Sequence, residues 1–154
     1  MRSLNFLSES TQETIRLGTR LADCLKKGDI VCLFGDLGSG KTTFTKGIAR
    51  GLKINANKVN SPTFVLMNAY QGKHPLFHFD FYRLDKATEI SAIGYEEFFY
   101  DNGITVIEWP QRLGRLLPKD YLHVKFTSKG EGKRSIHVSV RGKRSSEILA
   151  RLLK

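Results

Sequence analysis

Apolar residues recur along this chain in two rhythms, and the switches between them outline its elements. Over residues 10–27 they fall at helical spacing, with Ile15, Gly18, Leu21, Ala22 and Leu25 on one face. Ser10 with Glu13 forms a capping box at the start, and Gly28 suits the C-terminal stop, so a helix is predicted over 10–27. IVCLF (30–34) is apolar throughout, as a strand buried on both faces requires. A second helix is predicted from about Thr42 to Leu52, with Gly51 near its end. NANKVNSPTF (55–64) is polar and reads as a loop. VLMNAY (65–70) and PLFHFDFY (75–82) read as strands in a hairpin or a neighbouring pair, separated by QGKH. Residues 86–100, containing EISAIGYEEFF, predict a helix, and ITVIE (104–108) a second fully apolar strand ending in a carboxylate. YLHVKFTSKGEGKRSIHVSVRG (121–142) alternates on both sides of SKGEGK, the pattern of a hairpin with one wet face. A short helix over 144–153 follows.

Strand, turn, helix and then further apolar strands predict an α/β fold. The expected architecture is a single domain over residues 1–154, with a central mixed, largely parallel sheet flanked by helices and a C-terminal antiparallel hairpin. A length of 154 residues suits one domain, and a 40% hydrophobic content supplies a core without disulfide or metal staples. Repeats, low-complexity segments and Pro/Gly/Ser linkers are absent from the sequence. The longest apolar runs fall far short of the ~20 residues of a membrane span. MRSLNFLSES has no apolar run of signal-peptide length, so a soluble cytoplasmic protein with no membrane partner is expected. Cys24 and Cys32 have neither metal-ligand nor redox spacing and are expected to be buried thiols.

Charge changes the picture in one place. Of the net +10, residues 119–154 carry +7 and residues 1–118 only +3. A basic final third suits an acidic partner surface or nucleic acid nearby, and equally a solvated face.

The candidate chemistry lies between the first strand and the second helix. GDLGSGKT (35–42) matches G-x-x-x-x-G-K-[ST] through Gly35, Gly40, Lys41 and Thr42, which makes the fold a P-loop NTPase. Glycines let backbone N–H groups turn inward around a phosphate, and the helix that follows adds the positive end of its dipole. Asp36, Leu37, Gly38, Ser39, Gly40, Lys41, Thr42 and Thr43 form the expected phosphate cradle. Lys41 would reach the β- and γ-phosphates, and the Thr42 hydroxyl would ligate Mg²⁺. Such a site needs a carboxylate at a nearby strand end. Glu108 follows the cleaner apolar run and is the first candidate for a metal ligand; Asp80 is the second, on a metal-bound water or near the nucleophile. In SPTF (61–64), Ser61 or Thr63 offers a hydroxyl that could sense the γ-phosphate or the metal. Trp109 is either an anchor for a partner or core filler.

A GTPase should carry N-K-x-D after its second acidic strand; NKVN (57–60) lacks the Asp and comes too early. A small-molecule kinase should have an arginine-rich lid, but Arg83, Arg112 and Arg115 are scattered. An ATPase that serves a partner is the third class. GDLGSGKTT, SPTF, FHFDFYRL, VIEWPQRLG and LLP, in that order, closely resemble the TsaE (YjeE) family, the ATPase component of bacterial tRNA threonylcarbamoyladenosine synthesis. The resemblance runs from TIRLGTRLA (14–22) through Pro118; beyond it only the two-strand pattern matches.

The resemblance implies ATP and Mg²⁺ as ligands, slow hydrolysis by the protein alone, and a complex with TsaD and TsaB. Those partners install a threonylcarbamoyl group on adenosine 37 of tRNA, so tRNA is engaged through the complex. It further implies Thr42 and Glu108 as metal ligands, Lys41, Asp80 and Glu108 as catalytic residues, and Asp80–Arg83 as the D-x-Y-R segment. Adenine is held in the family between the N-terminal segment and the late hairpin, implicating Thr11 and Lys133 or Arg134; the hairpin pair could also be solvated. A water-orienting Gln or an arginine finger is not evident in the sequence. Two rival readings are a stand-alone small-molecule kinase and a nucleotide-dependent nucleic-acid binder using the basic final third.

Overall fold

The structure, a computed structural model, describes residues 3–62, 66–84, 94, 99 and 102–154. Its elements are β1 (Ser3–Ser8), α1 (Thr11–Ala22), β2 (Ile30–Phe34), α2 (Lys41–Gly51), β3 (Met67–Tyr70), β4 (Leu76–Asp80), β5 (Ile104–Glu108), β6 (Tyr121–Gly130), β7 (Lys133–Arg141) and α3 (Lys143–Leu153). Short 3₁₀ segments occupy Ala56–Lys58 and Pro110–Leu116. The strands form one mixed sheet in the order β1-β7-β6-β2-β5-β4-β3. Its centre, β6-β2-β5-β4, is parallel. Antiparallel pairs close both sides, β1-β7-β6 on one and β3–β4 on the other.

Alternation along the strands feeds two apolar layers. Val31, Leu33, Ile104, Val106, Leu122 and Val124 turn toward the face packed by Leu17 and Leu21 of α1, Phe44 and Ile48 of α2, and Ile148 and Leu152 of α3. Ile30, Cys32, Phe77, Phe79 and Ile107 turn to the other face, against Leu113 and Phe99. β2 is thus buried on both sides, which is why IVCLF carries no polar residue. Both cysteines are free and buried, as expected.

Glycines let α1 and α2 cross closely. A Cβ at Gly47 would lie 2.2 Å from the Ile15 carbonyl oxygen, and one at Gly18 would lie 2.4 Å from that of Phe44. Thr19 Oγ1 seals the crossing by donating to the Gly47 carbonyl at 3.0 Å. α3 is fixed by charge. Asp120 accepts the amides of Arg144 and Ser145 at 2.8 and 3.0 Å, while the Arg144 guanidinium donates to both oxygens of buried Asp29 at 2.9 Å.

Within the described residues the expected elements form, with two differences. α1 keeps its Ser10–Glu13 cap, with Glu13 N–H donating to Ser10 Oγ at 3.1 Å, but it ends at Ala22 and not at 27. Cys24 and Leu25 bond three residues back in a tightening turn, and Gly28 (φ +95°) serves the bend into β2, not the helix stop. β1 is an unpredicted edge strand: only Leu4 and Phe6 of SLNFLS pack on the core, and its partner β7 lies far along the chain. The helix predicted over 86–100 lies outside the described residues except for Gly94 and Phe99.

Candidate nucleotide-binding site

β2 ends at Phe34 in the middle of the parallel strands, so the glycine loop and the start of α2 emerge at their carboxyl ends. Gly40 takes φ +111° as the residue before α2, where a side chain would be strained and would strike the Arg134 guanidinium. Because Gly40 has no side chain, nothing caps the first amides of α2, and its first turn holds no acidic residue. Those N–H groups and the helix dipole are left to an external anion.

A cleft of about 310 Å³ opens over this turn, lined by Leu37, Gly38, Gly40, Lys41, Thr42, Thr43, Ser61, Asp80, Glu108, Trp109 and Arg134. A larger cavity of about 510 Å³ at the other end of β2, around Ile30, Tyr121 and Arg144, holds none of the expected site residues. Chemistry, not size, selects the first.

β4 and β5 run parallel with Asp80 opposite Glu108, which places two carboxylates side by side, each only 3% exposed. Two adjacent buried negative charges are costly without donors and cations around them. Glu108 Oε2 accepts from Thr42 Oγ1 at 3.1 Å and from His78 Nε2 at 2.6 Å. Asp80 accepts from Ser61 Oγ at 2.7 Å and from the Tyr82 amide at 2.9 Å. Lys41, 4% exposed, supplies a cation; its Nζ donates to the Gly35 carbonyl and lies 4.1 Å from the centre of the Trp109 ring. Burial lowers the Lys41 pKa, while Glu108, Asp80 and Asp36 oppose that shift by favouring the charged form.

Trp109 therefore covers Lys41, a more specific place than core filler. Half-buried, with its ring tilted against Tyr82 at 4.9 Å between centres, it takes a left-handed backbone (φ +58°) as the chain leaves β5. A non-glycine residue in that region is strained, and such strain gathers at functional sites.

The hairpin delivers Arg134, not Lys133, to the cleft: Lys133 is exposed, whereas Arg134 presses against Gly40 with a buried Nε that has no partner. Asp36 is exposed beside the loop, and Ser39 is buried with its Oγ unpartnered. Thr11 is exposed at the start of α1 and does not line the cleft, nor does exposed Arg83. Of the two SPTF hydroxyls, Ser61 reaches Asp80, and Thr63 lies outside the described residues. Sequence reasoning missed two contacts, His78 on Glu108 and Trp109 over Lys41. The one available signal was a histidine inside an otherwise apolar run, two positions before Asp80.

The arrangement fits a triphosphate with Mg²⁺. An uncapped helix start, a lysine and the unsatisfied polar atoms of Ser39 and Arg134 suit phosphate oxygens. Among the described residues no group of three or more His, Cys, Asp or Glu gathers. Mg²⁺ does not need one, since it is usually bound through one or two carboxylates, phosphate oxygens and water.

Known proteins resemble this chain in sequence and in fold. The family described as "Threonylcarbamoyl adenosine biosynthesis protein TsaE" matches residues 8–136, which reach past Arg134 in β7. The tRNA threonylcarbamoyladenosine biosynthesis protein TsaE of Bacillus subtilis (strain 168) is 37% identical over 145 residues, covering 94% of this chain and 90% of its own length. The protein of the same description from Treponema pallidum (strain Nichols) is 39% identical over 133 residues, covering 86% of this chain and 98% of its own. The crystal structure of Bacillus subtilis YdiB superposes with a TM-score of 0.84 at 31% identity, covering 99% of this chain and 95% of that one.

Proposed function

The chain belongs to the TsaE family of threonylcarbamoyladenosine biosynthesis proteins, and from that premise we propose that it is a Mg²⁺-dependent ATPase. Its hydrolysis supports tRNA modification by a complex with TsaD and TsaB in the cytoplasm, and it meets tRNA through that complex. One observation carries the reading: Lys41 and Thr42 start an uncapped helix and face the Asp80–Glu108 carboxylate pair across a single cleft.

In this reading the α2 amides and Lys41 hold the β- and γ-phosphate oxygens and offset the charge that builds during transfer to water. Thr42 and Glu108 would hold Mg²⁺, which when bound neutralises phosphate charge. Asp80, its carboxylate held by Ser61 and Tyr82, would act either on a metal-bound water or on the attacking water. Arg134 lies over the loop that would carry the phosphates, which supports a contact with nucleotide; whether it meets adenine or phosphate separates two forms of the same role. The cleft contains no glutamine among its described lining residues to position a water. That favours slow hydrolysis until a partner completes the site.

The test is ATP turnover with Mg²⁺, with and without TsaB and TsaD. Stimulation of about tenfold or more by the pair is expected. Absence of stimulation, with phosphate passed to a metabolite instead, would establish a small-molecule kinase and overturn the proposal.

A further inference from the structure

Resting on the nucleotide-site reading, we propose that His78 is a positioning residue for Glu108: it holds one carboxylate oxygen so that the other is left to serve the metal. His78 is the third residue of β4 and is fully buried. Its neighbours Phe77 and Phe79 face the apolar layer on the far side of the sheet. Its Nε2 lies 2.6 Å from Glu108 Oε2 on the adjacent strand, and its Nδ1 is buried without a partner. Among the described residues Glu108 is thus the ring's one hydrogen-bond partner, and the tautomer that makes the bond carries its proton on Nε2. Placing an imidazole in an apolar layer is costly unless its polar atoms are used, so a single bond aimed at Glu108 is a specific arrangement.

The division of labour on the carboxylate follows from the second donor. Thr42 Oγ1 also bonds Oε2, at 3.1 Å, and Oε1 receives neither bond. Thr42 is itself expected on the metal. A hydroxyl ligates a metal through an oxygen lone pair and can still donate its proton, so Thr42 and His78 would together fix Oε2 while Oε1 stays open. Outer-shell partners of this kind typically contribute 10–100-fold to metal affinity.

Three substitutions separate positioning from packing. His78→Gln returns an amide nitrogen near the position of Nε2; His78→Asn holds one a carbon short; His78→Leu removes the donor. For each, ATP affinity is measured by calorimetry without metal, and then the Mg²⁺ concentration that half-maximally raises it, with thermal melts to verify folding. Metal-free ATP affinity is expected to stay within about twofold of wild type throughout. The Mg²⁺ requirement should rise about tenfold or more in His78→Asn and His78→Leu and return to within about threefold of wild type in His78→Gln. If His78→Leu does not fold, the Asn–Gln contrast decides. An unaltered Mg²⁺ requirement in His78→Asn, or a His78→Gln variant as impaired as His78→Asn, overturns the role of His78 alone. A wild-type protein that binds ATP but ignores Mg²⁺ overturns the metal assignment and this inference together, and one that binds no ATP overturns the nucleotide-site reading.

Discussion

Lys41 and His123 are both partly withdrawn from water, yet their surroundings push them in different ways. Around Lys41 three carboxylates oppose the effect of burial, so the ammonium stays useful to a phosphate. His123 of β6 has no such support. It stacks on Phe34 with 4.1 Å between ring centres, and burial, followed by the nearby Arg141 charge, lowers its pKa to about 4. As pH falls below the unfolded value of 6.5, the unfolded chain takes up a proton that the folded chain refuses until about pH 4. Stability is therefore lost on acidification across that window and is unaffected by this group above it. Urea unfolding at about pH 7 and about pH 5, where carboxylates remain mostly ionised, should show a larger loss for wild type than for His123→Phe. Equal losses would mean the histidine titrates normally. At this scale the sequence displayed the glycine-loop end of the cleft well, because Gly40, Lys41 and Thr42 are neighbours in the chain. It hid the His78–Glu108 bond, because the two residues are 30 positions apart and only strand pairing joins them.

Among the elements, the α1–α2 crossing sets where the P-loop helix sits on the sheet. Gly18 and Gly47 admit that approach, and the Ile15 carbonyl would meet any side chain at Gly47. Gly47→Ala should destabilise the fold by about 2 kcal/mol, read as a lowered urea midpoint with unchanged slope. A change below about 0.5 kcal/mol would show that the helices separate freely. β2 and β5 were legible in the sequence because both faces are buried and the runs are dominated by apolar residues. The β6–β7 hairpin was legible because one wet face forces alternation. β1 was not, since an edge strand with two half-buried apolar residues leaves almost no pattern and takes its register from β7. The true end of α1 was also hidden, because Cys24 and Leu25 continue the apolar spacing while their backbone has already left the helix.

Over the whole molecule, a parallel centre gathers the ends of β2, β4 and β5 at one edge, and the antiparallel hairpin brings a basic residue from the last third of the chain to the same place. The concentration of charge in residues 119–154 thus has two identified places, Arg134 over the glycine loop and Arg144 on buried Asp29. No helix among the described residues is long and apolar enough to cross a membrane. Whether this assembly of strand ends is a nucleotide site is decided most directly by calorimetric titration of ATP with Mg²⁺ into wild type and Lys41→Ala, with circular dichroism confirming that both are folded. One ATP site is expected in wild type, weakened about tenfold to a hundredfold by the loss of a charged phosphate donor. No ATP binding by wild type, or equal binding by both proteins, would contradict it.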